Sequence, residues 1–262
     1  MHSTGKNGPT EGRLRARPVQ EVGAAAPVGL QSLGLGVTRG DYLLHVPETY
    51  QTASPAPLML WLHGAGGHAR DFLSSEQQSQ ADAAGMLLLV PTSKEYTWDV
   101  IVGRGRYGPD VAAIDRALES MFRRYAIDPT RIAVGGFSDG ASYALSLGIT
   151  NGDLFTYVLA FSPGFMLPAR QRGSPRIFVS HGTRDGVLPI DRCSRKIVPQ
   201  PRHAGYGIRY REFEGGHAVP PDATREAVGW FAADSGAKTR ATNRPEAGED
   251  SSVVRADLCP EP

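Results

Sequence analysis

Cysteine is nearly absent from this chain of 262 residues: it holds two, Cys193 and Cys259. A disulfide framework is therefore excluded, and both thiols read as free, which suits a reducing compartment. No apolar run approaches the roughly 20 residues of a membrane-spanning helix, so no stable membrane association is expected. No apolar h-region opens the chain either, and the expected location is cytoplasmic. Charge of neither sign is in excess. Lys and Arg number 28 against 27 Asp and Glu, a formal net charge of +1. Such a balance argues against a nucleic-acid partner or an anionic surface. The histidines are scattered, with no H-x-x-x-H and no paired Cys/His spacing, so no metal site is expected. Internal repeats are lacking as well.

What the chain does hold is glycine, 31 residues, and a regular alternation of apolar runs. Residues 1–28 carry Gly, Pro, Arg and Ala with almost no periodic pattern and read as a flexible segment. Residues 235–262, rich in Ala, Glu, Asp, Ser and Pro, read as a disordered tail. Between them, 29–234 is expected to form one catalytic domain. Asp41–Val46, Pro57–Leu62, Met86–Val90, Tyr157–Phe161, Arg176–Ser180 and Gly207–Phe213 read as strands. PLMLWL and MLLLV are apolar on both faces, as strands inside a sheet are. Helical spacing marks residues 72–84, 110–125 (Val111, Ile114, Leu118, Met121, Phe122) and 223–231. Strands separated by helices predict an α/β fold with a mostly parallel, doubly wound sheet and no large lid domain.

The stretch Arg131–Leu147 reads strand, sharp turn, helix, with Ser138 at the apex of a G-x-S-x-G pentapeptide. Flanking glycines allow a strained turn, and a hydroxyl there projects at a helix N-terminus, which favours negative charge. In a chain this rich in glycine the pentapeptide alone is weak evidence; context must support it. In a doubly wound sheet ligands bind beyond the carboxyl ends of the strands. Ser138, then Asp185 after RIFVS, then His217 after the last strand leave such ends in the order Ser, Asp, His. Imidazole can take the serine proton near neutral pH, and a carboxylate fixes the imidazole tautomer. Asp191 is the nearest alternative to Asp185, further past the strand end.

On PLMLWLHGAGG, the Thr97-Trp98-Asp99 segment, IAVGGFSDGASYAL, FVSHGTRDGVLP and FEGGHAVP, the chain over roughly residues 28–233 resembles a small serine esterase of the α/β-hydrolase superfamily. The resemblance is to the phospholipase/carboxylesterase and polyhydroxybutyrate-depolymerase-like or feruloyl-esterase-like group. It implies an α/β-hydrolase fold, Ser138 as nucleophile, Asp185 as triad acid, His217 as general base, and an oxyanion hole from the amides of Ala65 and Asp139. It implies a small-molecule ester substrate and no cofactor. An acid directly after the nucleophile departs from many relatives; the Asp139 side chain is expected to point away from the oxyanion.

Tyr96 and Trp98, after MLLLV, and Phe165 and Met166, after the sixth strand, are candidates to line the substrate pocket. His63 and His181 each follow a core strand and read as hydrogen-bonded structural histidines. Gly103–Gly108 fits G-x-G-x-x-G but follows no buried strand, so a dinucleotide site is not expected. Polyester, feruloyl ester or lysophospholipid cleavage are alternatives to a simple carboxylesterase, and a non-catalytic binding module is the reading from another class. Oligomeric state, monomer or dimer, stays open. With no lid segment the pocket should be open, and short-acyl or aryl esters should turn over faster than long-chain ones; a nitrophenyl-ester series of rising acyl length, with the long chains fastest, would overturn this.

Overall fold

A computed structural model describes residues 11–19, 22, 27–35 and 39–233. Its strands are β1 (Gly29–Ser32), β2 (Leu43–Val46), β3 (Ala56–Leu62), β4 (Leu87–Val90), β5 (Ile127–Phe137), β6 (Tyr157–Phe161), β7 (Arg176–Gly182) and β8 (Ile208–Phe213). Its helices are α1 (Ala69–Phe72), α2 (Ser75–Ala83), α3 (Asp99–Val102), α4 (Pro109–Arg124), α5 (Asp139–Thr150), α6 (Ser194–Ile197), α7 (Pro199–His203) and α8 (Pro221–Ala232). One sheet runs in the order β1-β2-β4-β3-β5-β6-β7-β8. From β4 to β8 all neighbours are parallel, while β1 and β2 pair antiparallel at one edge. The chain leaves β3 toward β4 on one side and reaches β5 on the other, which opens a crevice at their carboxyl ends.

The doubly apolar strands divide their side chains between two cores. Leu58, Leu60 and Leu62 of β3 face a cluster with α4 and α5, whereas Met59 and Trp61 face one with α1, α2 and α8. Helix α4 buries Val111, Ile114, Leu118, Met121 and Phe122, the positions whose spacing predicts it. The expected helix 72–84 is broken into α1 and α2, with Ser74 at the cap between them. The G-x-G-x-x-G run links two helices: Gly103 caps the end of α3 and Gly108 the start of α4. With no strand before it, the run lacks the setting of a dinucleotide site.

Helix α5 is buried almost from end to end, so its polar residues need internal partners. Ser142, Ser146 and Thr150, four residues apart, form one stripe. Each hydroxyl donates to the carbonyl four residues earlier, at 3.2, 2.7 and 2.7 Å. Each then accepts an N–H from the segment after β6: Gly164 at 2.8 Å, Leu167 at 2.9 Å and Ala169 at 3.1 Å. A loop that would otherwise bury unpaired amides is thereby docked on the helix.

The expectation of a flexible segment 1–28 is corrected for its described part. Leu14 is fully buried and Ala16 nearly so. Asn151 accepts the Leu14 N–H at 2.9 Å and donates to the Gly12 carbonyl at 2.8 Å. Asp115 accepts the Arg15 and Ala16 amides, and Arg13 and Arg17 both pair with Asp153. One apolar anchor and side-chain acceptors supplied by the body hold an extended chain, and neither leaves a periodic signature. The tail expected over 235–262, with Cys259, lies outside the described residues. Leu14→Ala is expected to cost roughly 2–5 kcal/mol, the usual range for emptying a buried leucine site, read by denaturant unfolding; an unchanged midpoint would mean that the segment is not anchored.

Candidate active site

The turn between β5 and α5 is tight enough to force Ser138 to φ 56°, ψ −120°, outside the ordinary regions for a side-chain-bearing residue. Its flanking glycines are required by contact. A Cβ on Gly140 would lie 2.1 Å from the Leu62 carbonyl oxygen, and one on Gly136 would lie 2.6 Å from it. The Ser138 amide bonds the Phe161 carbonyl at 2.9 Å, fixing the turn to β6. At the other side of the crevice, the loops after β7 and β8 are joined by Thr183 N–H to Phe213 O and Arg184 N–H to Gly215 O. Gly182 allows this: a Cβ there would meet the Gly215 and Gly216 carbonyls within 2.4 Å.

These contacts bring the three residues together. His217 Nε2 lies 2.8 Å from Ser138 Oγ, and His217 Nδ1 lies 2.7 Å from Asp185 Oδ2. The Asp185 side chain is wholly buried, and its Oδ1 accepts the Val187 and Leu188 amides at 2.9 and 2.8 Å. Phe137 packs against the His217 ring at a centroid distance of 4.7 Å. Asp191, by contrast, is spent on Arg195 at the surface. This arrangement can carry the Ser138 proton to His217 while the carboxylate balances the charge that forms.

The loop Gly64–Gly67 lies against the serine: a Cβ on Gly64 would sit 3.3 Å from that of Ser138. Its own groups are committed elsewhere. The Gly66 N–H bonds the Tyr96 carbonyl and the Gly67 N–H bonds the Gly64 carbonyl. Arg39 donates to the Gly66 carbonyl at 3.1 Å and to the Glu95 carbonyl. Ala65 is exposed beside the serine, and Asp139 begins α5 directly after it. The Asp139 carboxylate accepts the Thr97 hydroxyl at 2.6 Å, which ties it to the loop after β4.

Behind this loop lies a buried polar layer. His63 donates from Nδ1 to the Gly64 carbonyl at 2.7 Å and accepts the Ser93 N–H at Nε2, 3.0 Å away. Burial lowers its pKa to about 4, so it stays neutral in both roles. Trp98 donates its indole N–H to the His63 carbonyl at 2.8 Å and stacks on Tyr143. Asp99 accepts the amides of Gly108 and Asp110 at 2.9 and 2.8 Å, and the Tyr143 hydroxyl at 3.0 Å. Asp110 in turn accepts the Lys94 and Asp99 amides at 2.9 and 2.8 Å.

The pocket candidates divide. Tyr96 is 67% exposed, with its ring over Gly66. Trp98 is fully buried, and Phe165 and Met166 belong to the core packed around α5, so these three are corrected from pocket-lining to supporting positions. Among the described residues no group of three or more His, Cys, Asp or Glu could hold a metal, and no helix is long and apolar enough to cross a membrane.

The Phospholipase/Carboxylesterase family profile matches residues 111–204. Feruloyl esterase C of Emericella nidulans is 27% identical over 257 residues, 78% of this chain and 93% of that one. Probable feruloyl esterase C of Aspergillus terreus is 26% identical over 159 residues, 58% of this chain. That match covers 57% of the relative, so the chain spans little more than half its length. Among solved structures, a ferulic acid esterase of Anaeromyces mucronatus in complex with ferulic acid superposes with a TM-score of 0.58 at 19% identity, covering 83% of this chain and 93% of that one. The S-formylglutathione hydrolase of Staphylococcus aureus reaches 0.63 at 14% identity, covering 81% and 99%.

The paired carboxylates generate a pH prediction. Burial, with the Asp99 charge adding to it, raises the Asp110 pKa from 3.8 to about 6. Between those values the folded chain holds a proton that the unfolded chain has released, so this group's contribution to stability falls as pH rises from about 4 to 6. Asp110→Asn should flatten that slope by on the order of 2 kcal/mol across the window. Denaturant unfolding of both proteins at several pH values checks it; equal slopes would refute it.

Proposed function

We propose that this chain, with a serine, a histidine and a carboxylate in hydrogen-bond contact at its strand ends, is a serine esterase of the α/β-hydrolase superfamily. It acts on carboxylic esters through an acyl-enzyme. The observation that carries the reading is the continuous relay Ser138 Oγ to His217 Nε2 and His217 Nδ1 to Asp185 Oδ2, at 2.8 and 2.7 Å. His217 takes the proton as Ser138 Oγ attacks the ester carbonyl, and Asp185 balances the imidazolium. The amides of Ala65 and Asp139 receive the tetrahedral oxyanion, a contribution worth about 10²–10³ in rate for each donor. His217 then protonates the departing alcohol, and water repeats the sequence on the acyl-enzyme. The bond from Thr97 holds the Asp139 carboxylate in place, so that its charge need not face the oxyanion.

Aryl esters are the favoured substrates in this reading. Similarity to feruloyl esterases supports it, as does the exposed Tyr96 ring beside the oxyanion loop, a flat face on which an aromatic acyl group can lie. A cytoplasmic, small-molecule role without nucleic-acid or metal partners completes the proposal.

Hydrolysis of a nitrophenyl ester by the wild type and by Ser138→Ala tests the nucleophile. A burst of nitrophenol followed by turnover is expected in the wild type, with kcat reduced about 10⁴-fold or more in the variant. Undiminished activity in Ser138→Ala would overturn the assignment.

A further inference from the structure

His181 is fully buried near the end of β7 and takes no part in the proton transfers above. Its Nε2 lies 2.8 Å from the Leu188 carbonyl oxygen and 3.2 Å from Asp185 Oδ2. A carbonyl and a carboxylate only accept, so Nε2 carries the hydrogen and donates it to the Leu188 carbonyl, with Asp185 Oδ2 beside it. Nδ1, 2.6 Å from Ser194 Oγ, is then the acceptor of that hydroxyl. Burial pushes the ring's pKa down, which keeps it in this neutral, single-tautomer form. Asp185 Oδ2 therefore faces two imidazole nitrogens, His217 Nδ1 at 2.7 Å and His181 Nε2 at 3.2 Å.

We propose that His181 is a positioning residue of the relay: its N–H pins the Asp185 carboxylate and draws charge from the oxygen that faces His217. The inference rests on the esterase reading. Charged groups around the pair are compensated. Glu212, opposite His181 in the register of β7 and β8, is bonded to Arg195 and Tyr210. Asp191 is paired with Arg195, and Arg184 with Glu214. On the other flank His217 meets the Phe137 ring and Ser138. The electrostatic effect on His217 thus passes through Asp185 and not through an outlying charge. With one donor removed, the carboxylate concentrates its charge on His217 and its rotamer loosens.

Amide side chains separate this from plain support of the fold. Glutamine places an N–H near the position of imidazole Nε2, whereas asparagine reaches only the Nδ1 position and keeps the Ser194 contact alone. His181→Asn is expected to lower kcat about tenfold with KM nearly unchanged. The acid limb of its kcat/KM profile should move up by about half a pH unit. In the unreacted protein the low-field proton resonance of the His217–Asp185 bond should move downfield. His181→Gln should return all three toward wild type, and His181→Leu serves as a second loss variant if the Asn form does not fold. A folded loss variant with wild-type kcat, limb and resonance would overturn the proposal, as would a Gln variant as impaired as Asn. The resonance is read without turnover. Undiminished hydrolysis in Ser138→Ala would therefore remove Ser138 as the nucleophile while the role of His181 is still decided.

Discussion

The approach of β3 to the start of α5 is the constraint on which the rest depends. At Gly140 there is no room for even a methyl group, because the Leu62 carbonyl occupies the space a Cβ would need. This contact sets how far the loop after β3 stands from Ser138, and so where the Ala65 amide lies relative to the hydroxyl. The unfavourable backbone at Ser138, a cost of about 1–3 kcal/mol, is held by the buried length of α5 and by the bond to Phe161. Strain at one residue is sustained because the glycines flanking it, Gly136 and Gly140, are buried against β3.

Around that contact the buried polar groups are arranged by what each can donate or accept. Asp185 can be buried because backbone amides and two imidazoles surround its carboxylate oxygens. His63 can be buried because its two nitrogens meet one acceptor and one donor. Asp99 and Asp110 each take the amides at the start of the other's helix, a reciprocal arrangement that fixes α3 and α4 behind the loop after β3. The crevice is thus backed by satisfied hydrogen bonds, not by apolar packing alone.

Most of the sheet is legible in residue order because its central strands are buried on both faces; PLMLWL and MLLLV admit few other readings. The approach of Ser138, Asp185 and His217 is legible for a related reason: chemistry-bearing residues directly after strands must collect at one end of a parallel sheet. Burial of loop aromatics is not legible in that way. Trp98, Phe165 and Met166 occupy the same kind of position as Tyr96, yet only Tyr96 faces solvent, since the difference lies in helices distant in sequence. The N-terminal segment is illegible because a lone Leu14 and acceptors from residues 115, 151 and 153 leave no local period. The edge strand β1, half-exposed and only four residues long, is similarly faint.

The hydroxyl stripe on α5 sets a ruler beside Ser138. Ser142, Ser146 and Thr150 are spaced by one helical turn, about 6 Å of rise each, and the amides they receive come from residues 164, 167 and 169. Adding or removing one residue between 164 and 169 would put at least one amide out of step with its hydroxyl. That segment therefore has a fixed length of chain, in contrast to the loop after β4, where Tyr96 stands in solvent.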